Sequence, residues 1–585
     1  MDGIRLVLMV ALCLVPVGLP GPSPADLVLR GGEVYTLDPA HPWARGVAIS
    51  GDRIVAVFKA DAEAAPFIGP KTRVLDLAGR FLLPGFIDGH VHFNAAGALI
   101  NDVNLMTVSD DAGLRKEVAR VAALLAPGEW MTGGLWGAYE QWALGADKAG
   151  AAKGRRWTPD RRTVDDLTAR HPCLLNSFDS GLHLANTAAL EAAGLLGSPI
   201  DGLERDPSGR PTGIVRPDSP ALAALRKAVK PKSHDRLLAE NRAALRRLAE
   251  SGIVEVHDIT TPEQAGRFVQ LRQAGELTCR VWMRPDLSRG AELKAKGLTM
   301  GVHPVTRERD RYLRYGALKG YIDGIMGTHG ALFFQPYDDE PGNSGHYRPH
   351  TSDDPELMAP NMEKMYGLIR TGIDAGFVTN VHAIGDKGVA LMLDTYERLM
   401  KDLRRDLDGF RVIHAQVIRP SDFARFKQLH VIAEVNPYHV SDDMRWMEER
   451  IGHERCKGAY AFKTLLDNGA VLSFGSDWPG TSAAEYHVHP KYLLHAAVTR
   501  TTLAGTPKGG WFPEQKISMA EALRAYTLDN AAAAFDEDVR GSIVVGKLAD
   551  LTLCDRNLMT IEPSEILKMN VDLTIVGGKI VYERH

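Results

Sequence analysis

The sequence is poor in the features that would place it in a specialised class. Its 585 residues hold five cysteines. Cys13 lies in the first segment, and Cys173, Cys279, Cys456 and Cys554 have neither CxxC spacing nor a dense framework, which excludes a disulfide scaffold and leaves them as small buried apolar residues. Neither sign of charge dominates, since 69 Lys and Arg face 73 Asp and Glu for a net charge of -4. No long basic run interleaves with aromatics, which excludes the usual nucleic-acid partner and leaves a small-molecule substrate. Long apolar runs are also missing. The stretch Leu6 to Leu19 is too short and too Pro-broken to span a bilayer comfortably, and no other membrane association is expected. With Ser23-Pro24-Ala25 behind it, that stretch reads as a signal peptide over residues 1–25, so the chain is expected to be exported to the periplasm or beyond and to begin near Asp26. Its positive n-region is thin, Arg5 against Asp2; without cleavage or with a later start, the protein would be anchored or cytoplasmic.

What is present is an ordinary globular mixture, 45% hydrophobic and 24% charged, with 57 Gly and 33 Pro marking many loops. The length exceeds what one core organises, so a large catalytic domain with satellites is expected. Both termini carry short β-branched runs cut by Gly and Asp, and neither has enough strands to bury two faces alone. One small β-sandwich built from both ends follows, residues 26–84 with 536–585. Between them, apolar runs alternate with amphipathic stretches such as Asp235 to Glu250. Eight candidate strands stand out: Phe86 to His92, Ile253 to Asp258, Arg280 to Arg284, Leu318 to Asp323, Phe377 to His382, Phe410 to His414, Val431 to Asn436 and Val471 to Ser476. Eight parallel strands predict an α/β protein of the (β/α)8 TIM barrel type over residues 85–99 and 221–535. The first two strands are about 160 residues apart, too far for a simple connection, so residues 100–220 form an α/β insertion expected over the barrel mouth. Its Trp130, Trp136, Trp142 and Trp157 are read first as core residues, with contact to substrate as the alternative.

The chemistry gathers at the strand ends. Pro84-Gly85-Phe86-Ile87-Asp88-Gly89-His90-Val91-His92 closes an apolar strand with two histidines two residues apart, hence on one face and able to bind one metal. A lone HxH is equally often structural. Here, however, Val378-Thr379-Asn380-Val381-His382 and Val412-Ile413-His414 each end a strand in histidine, and Val471-Leu472-Ser473-Phe474-Gly475-Ser476-Asp477 ends one in a carboxylate. Side chains at the C-terminal rim of a barrel converge in space however far apart they are in sequence.

This arrangement resembles the amidohydrolase superfamily, and in detail its YtcJ-like branch, which includes N-substituted formamide deformylases. The resemblance covers nearly the whole mature chain. It is carried by Pro84 to His92, Val381-His382-Ala383-Ile384-Gly385-Asp386, Ile413-His414-Ala415-Gln416, Phe474-Gly475-Ser476-Asp477 and Gly541 to Leu551. It implies metal ligation by His90, His92, Lys319, His382, His414 and Asp477, with Lys319 taken from Gly316-Ala317-Leu318-Lys319-Gly320-Tyr321-Ile322-Asp323-Gly324. It also implies a divalent metal, Zn2+ expected, one or two per chain, and carboxylation of Lys319 as a bridge. The sequence departs from the branch at Ile413, commonly Glu, at Asn436, frequently Gln, and in Asp179 to Leu190, where His183 is displaced.

The chemistry so implied is hydrolysis of a non-peptide C–N bond, a linear N-acyl or N-formyl amine, with Asp477 as general base and acid. A cyclic amide, ester or lactone hydrolase using the same centre is the alternative, and a non-catalytic binding protein on the scaffold is the reading from another class. His439 is a candidate for contact with the carbonyl oxygen or substrate, against a plain surface histidine. Asp323 is a candidate substrate contact or an anchor for the loop after Lys319. The oligomeric state is open, a homodimer included.

Overall fold

The computed structural model describes residues 23–106, 108–136, 157–177, 181–197, 199–348, 361–480 and 488–584. The apolar leader, Trp142 and the Asp179-Ser180 part of the displaced motif lie outside them.

Eight parallel strands form the centre, one at each expected position. They are Phe86–Val91, Ile253–Ile259, Arg280–Arg284, a fourth in two pieces, Leu313–Tyr315 and Leu318–Tyr321, then Thr379–Ala383, Arg411–His414, Ile432–Val435 and Leu472–Phe474. Pairing runs in sequence order on either side of the break in the fourth strand. Two parallel bridges complete the ring: Asp286 with Lys319 joins the third strand to the fourth, and Val91 with Trp478 joins the first to the eighth. The amide of Asp477 donates to His90 O at 2.8 Å and that of His92 to Trp478 O at 2.8 Å, so the closing seam is itself part of the rim that carries His90, His92 and Asp477. A sheet closed this way leaves no edge, which long apolar strands such as these would otherwise expose.

Helices cover the barrel. In His234–Glu250 the Ser233 hydroxyl accepts from the amide of Arg236 at 3.2 Å and caps the first turn, while Leu238, Ala244, Leu245 and Leu248 form the buried stripe. The barrel core is continuous with these helices and contains the buried, unpaired Cys279 and Cys456.

The termini build two packed sheets. One contains Arg53–Phe58, Gly46–Ser50, Leu27–Arg30 and Arg73–Asp76; the other orders Lys579–Glu583, Val571–Val576, Leu551–Cys554, Phe81–Pro84, Glu33–Tyr35 and Trp43–Ala44, mixing both chain ends. Leu29, Val47, Ile49, Leu82, Leu551, Leu553 and Ile575 interdigitate between them. The segment after the first barrel strand forms a six-stranded sheet with a core on each face. Leu175 and Leu184 point to one face with Trp136 and Met131, whereas their neighbours Leu174 and Ala185 point to the other with Trp130 and Leu190, the period-two alternation of a strand. Helix Pro220–Ala228, placed with the barrel by the sequence reading, buries Ala221, Leu222 and Leu225 in that second core. The insertion therefore runs past residue 220, because those apolar side chains find their partners there.

Candidate metal centre

The C-terminal ends of the first, fourth, fifth, sixth and eighth strands bring His90, His92, Lys319, His382, His414 and Asp477 to one rim. Ligand atoms of His90, His414 and Asp477 all lie within 4.8 Å of one another. Asp477 Oδ1 is 3.3 Å from His90 Nε2 and 3.2 Å from His92 Nε2. The His414 ring centroid is 4.5 Å from that of His382 and 5.3 Å from that of His90. His414, Ala415 and Asp477 hold φ of 72°, 40° and 57°, a left-handed backbone costly for non-glycine residues and often retained where a site requires it. Close approach is secured by Gly475, where a Cβ would stand 2.5 Å from His90 Cβ and 2.7 Å from its amide nitrogen.

Hydrogen bonds behind the rings fix which nitrogen faces the centre. His90 Nδ1 is 2.6 Å from Glu434 Oε1. Burial alone would raise the Glu434 carboxyl, but Arg284, His90 and Arg411 outweigh it and hold it well below the usual range. An ionised carboxylate only accepts, so Nδ1 carries the proton and Nε2, buried and without a hydrogen-bond partner, keeps its lone pair. His414 is set by the same logic. Asn436 Nδ2 donates to Gly475 O at 2.9 Å, which fixes the amide so that its Oδ1 receives His414 Nδ1–H at 2.7 Å. The Asn at position 436 thus orients His414, and Ile413 is fully buried. His382 points Nε2 at Gly324 O, 3.4 Å away, leaving Nδ1 as its lone-pair nitrogen. Burial pushes His90, His382 and His414 below the ordinary histidine range, so they are neutral donors at pH 7.

Lys319 is 1% exposed and its Nζ has no hydrogen-bond partner, lying 4.7 Å from the Tyr321 ring. Burial, then the charge of Arg284, pushes its pKa down to about 7. His439 is buried rather than on the surface, with Nε2 unpartnered and 3.9 Å from Asp477 Oδ2. Asp323 lies behind the rim, with Oδ1 3.4 Å from His382 Nε2. Its carboxylate is 0% exposed and accepts the amides of Leu332 at 2.9 Å, Ile384 at 3.1 Å and Gly385 at 2.9 Å, so it anchors the loop after Lys319 and has no free face for substrate.

The sequence reading missed the charges beneath the centre. Glu434, Arg284 and Arg411 are all 0% exposed; Arg284 Nη1 reaches both Glu434 oxygens at 3.0 and 2.8 Å, and Arg411 Nη1 reaches Oε2 at 2.9 Å. Arg284 also donates to Gly89 O and His257 O, tying the first two strands to the third. The only signal was the charge that each apolar run carries, Glu434 and Arg411 singly and Arg284 with Arg280 at the two ends of the third strand.

Comparison with known proteins then decides the family. The model of the amidohydrolase family matches residues 73–582. The chain belongs to the amidohydrolase family. It is accordingly a metal-dependent hydrolase of carbon–nitrogen bonds acting on small molecules, and the non-catalytic reading falls away. The chain is 32% identical to protein LONG AFTER FAR-RED 3 of Arabidopsis thaliana, over 95% of this chain and 92% of that protein. It is 25% identical to the N-substituted formamide deformylase of Arthrobacter pascens, over 96% and 98% of the two. In fold it is similar to an uncharacterized metal-dependent hydrolase from Pyrococcus horikoshii, with a TM-score of 0.70 at 22% identity, covering 92% of this chain and 99% of that one.

The donor set fits a divalent metal. It offers neutral imidazoles with oriented lone pairs, an ionised carboxylate and an unpartnered buried amine, with the second nitrogens held by Glu434 and Asn436 as metal-bound histidines require.

Proposed function

We propose that this amidohydrolase cleaves linear amides, N-acyl or N-formyl amines, at a centre held by His90, His92, Lys319, His382, His414 and Asp477, with Zn2+ as its metal. The observation that carries the reading is the pair of locked tautomers, His90 on Glu434 and His414 on Asn436, which turn Nε2 of both rings towards Asp477. A divalent metal held there would polarise the scissile carbonyl and lower the pKa of water. Asp477 takes a proton from the attacking water at its carboxylate oxygen. As the C–N bond breaks, it returns that proton to the leaving nitrogen; the products are a carboxylic acid and an amine, and the acid's proton then passes to the amine or to solvent. His439, facing Asp477, orients the carbonyl oxygen. Lys319 would act as a carbamate: its neutral Nζ bonds to the carbon of carbon dioxide as one C=O π pair moves onto oxygen, and the N–H proton leaves to solvent, which gives an anionic donor with two oxygens. The buried, unpartnered amine with its pKa near 7 supports this, because a charged ammonium would repel the metal. The linear-amide preference draws on the likeness to the formamide deformylase.

A panel of N-formyl amines, N-acyl amines of rising size, cyclic amides, lactones and simple esters, assayed with metal-replete enzyme, tests the reading. Amine release from the linear amides is expected to lead, and a pure ester or lactone preference would overturn it.

A further inference from the structure

At the N-terminal end of the barrel, opposite the metal centre, a cavity of about 400 Å3 opens between the barrel and the β-sandwich. Its barrel wall comes from the starts of the third and fourth strands, Leu277 to Arg280 and Asp310 to Tyr312, and its sandwich wall from the turns at Asp52-Arg53 and Gly577 to Lys579. The volume suits a small organic molecule.

The lining holds five cations, Arg53, Arg272, Arg280, Arg311 and Lys579, against the two carboxylates Asp52 and Asp310, although Arg280 is paired with Asp550 and Arg311 stands 4.0 Å from Asp536. Much of the negative charge is already committed. Asp310 caps the amides of Tyr312 at 2.5 Å and Leu313 at 3.2 Å, and Asp550, behind the wall, is engaged by Arg280 at 2.8 and 3.0 Å. Asp52 leans on Arg53 at 3.5 Å. Arg272 and Lys579 make no ion pair among the described residues.

Arg272 is nevertheless held in place. Its guanidinium lies 3.9 Å over the Tyr312 ring, while Arg280 approaches the same ring at 5.0 Å. The Tyr312 hydroxyl donates to Leu277 O at 2.6 Å and fixes that platform. A guanidinium stacked on a ring keeps its edge N–H groups free as a preformed fork for an oxyanion, which an unheld surface arginine does not offer. Leu277, Leu548, Val576 and Val581 supply an apolar wall beside it.

We propose that this cavity is a second ligand site, built for a phosphate monoester with an apolar or aromatic body. The phosphate sits on the Arg272 fork and the Lys579 ammonium, and the body lies along the apolar wall. The site is separate from the metal centre and goes beyond the hydrolytic reading.

Calorimetric titration of the metal-loaded enzyme with phenyl phosphate, AMP, inorganic phosphate and adenosine tests the proposal. Phenyl phosphate and AMP should bind at one site per chain, and more tightly than inorganic phosphate or adenosine. Arg272→Glu and Lys579→Glu, both at exposed side chains, should each weaken binding about tenfold or more and leave amide hydrolysis unchanged. Unaltered affinity in both variants, with competitive inhibition of hydrolysis, would assign the phosphate to the metal centre and overturn the proposal. Equal binding of inorganic phosphate or adenosine, or no binding at all, would overturn it as well.

Discussion

Glu434 shows how much one residue does without touching a reacting atom. It receives His90 Nδ1–H and balances Arg284 and Arg411 in a site closed to water. Glu434→Gln removes the charge that fixes the His90 proton and leaves two buried guanidinium groups uncompensated. Metal affinity should fall about 10–100-fold, as for other partners of ligating histidines. Stability should fall by about 3–5 kcal/mol. Elemental analysis after dialysis and a thermal melt read the two effects; full metal retention would show that the tautomer lock is dispensable. At Lys319 the expectation is chemical. Lys319→Ala should lose activity, and short carboxylic acids should partly restore it by standing in for the carbamate. A fully active, fully metallated Lys319→Arg would rule the carbamate out, because guanidinium stays cationic and does not take up carbon dioxide.

At the scale of elements, the closing seam between the first and eighth strands couples fold to site. Gly475→Ala puts a methyl 2.5 Å from His90 Cβ. It should cost about 1–3 kcal/mol by overpacking and lower kcat further by displacing the ligand. Gly266→Ala is the control. It lies within helix Pro262–Gln273 with nothing within 4 Å of the added Cβ, so it should gain roughly 0.5–1 kcal/mol and leave kcat alone. Equal effects on kcat would disconnect the seam from the site. The eight strands were legible because each is an apolar run bounded by turn residues. Their ends were less so: Val471 was counted into a strand yet is 42% exposed, and Leu313–Tyr315 went unseen because Gly316-Ala317 interrupts the fourth strand. His90, His92, His382, His414 and Asp477 were legible as rim residues from their positions at strand ends, whereas Lys319 entered only through the family resemblance. Glu434, Arg284 and Arg411 were not, since a charge in an apolar run gives no hint of a partner 150 residues away. Asp323 was legible as a carboxylate after the fourth strand, but only the fold shows three amides converging on it.

For the whole molecule, one buried carboxyl should make stability depend on pH. Burial pushes Asp443 up to about 7, although the Tyr460 hydroxyl and Gln416 Nε2 at 2.8 Å donate to it. The folded state therefore binds this proton more tightly than the unfolded chain. Its contribution is full below about pH 4, drains away at no more than roughly 1.4 kcal/mol per unit as pH rises to about 7, and is gone above. Melts across pH 4–8 should show Asp443→Asn with a flatter profile than the parent; identical slopes would contradict the assignment. The central claim is that a divalent metal held at the barrel rim drives hydrolysis of a carbon–nitrogen bond. Its most direct test is amine release from an N-acyl amine by chelator-stripped enzyme while Zn2+ is titrated back in bicarbonate buffer. The account predicts no release from the stripped protein and recovery that saturates at one or two metals per chain; amine release at full rate without metal would contradict it.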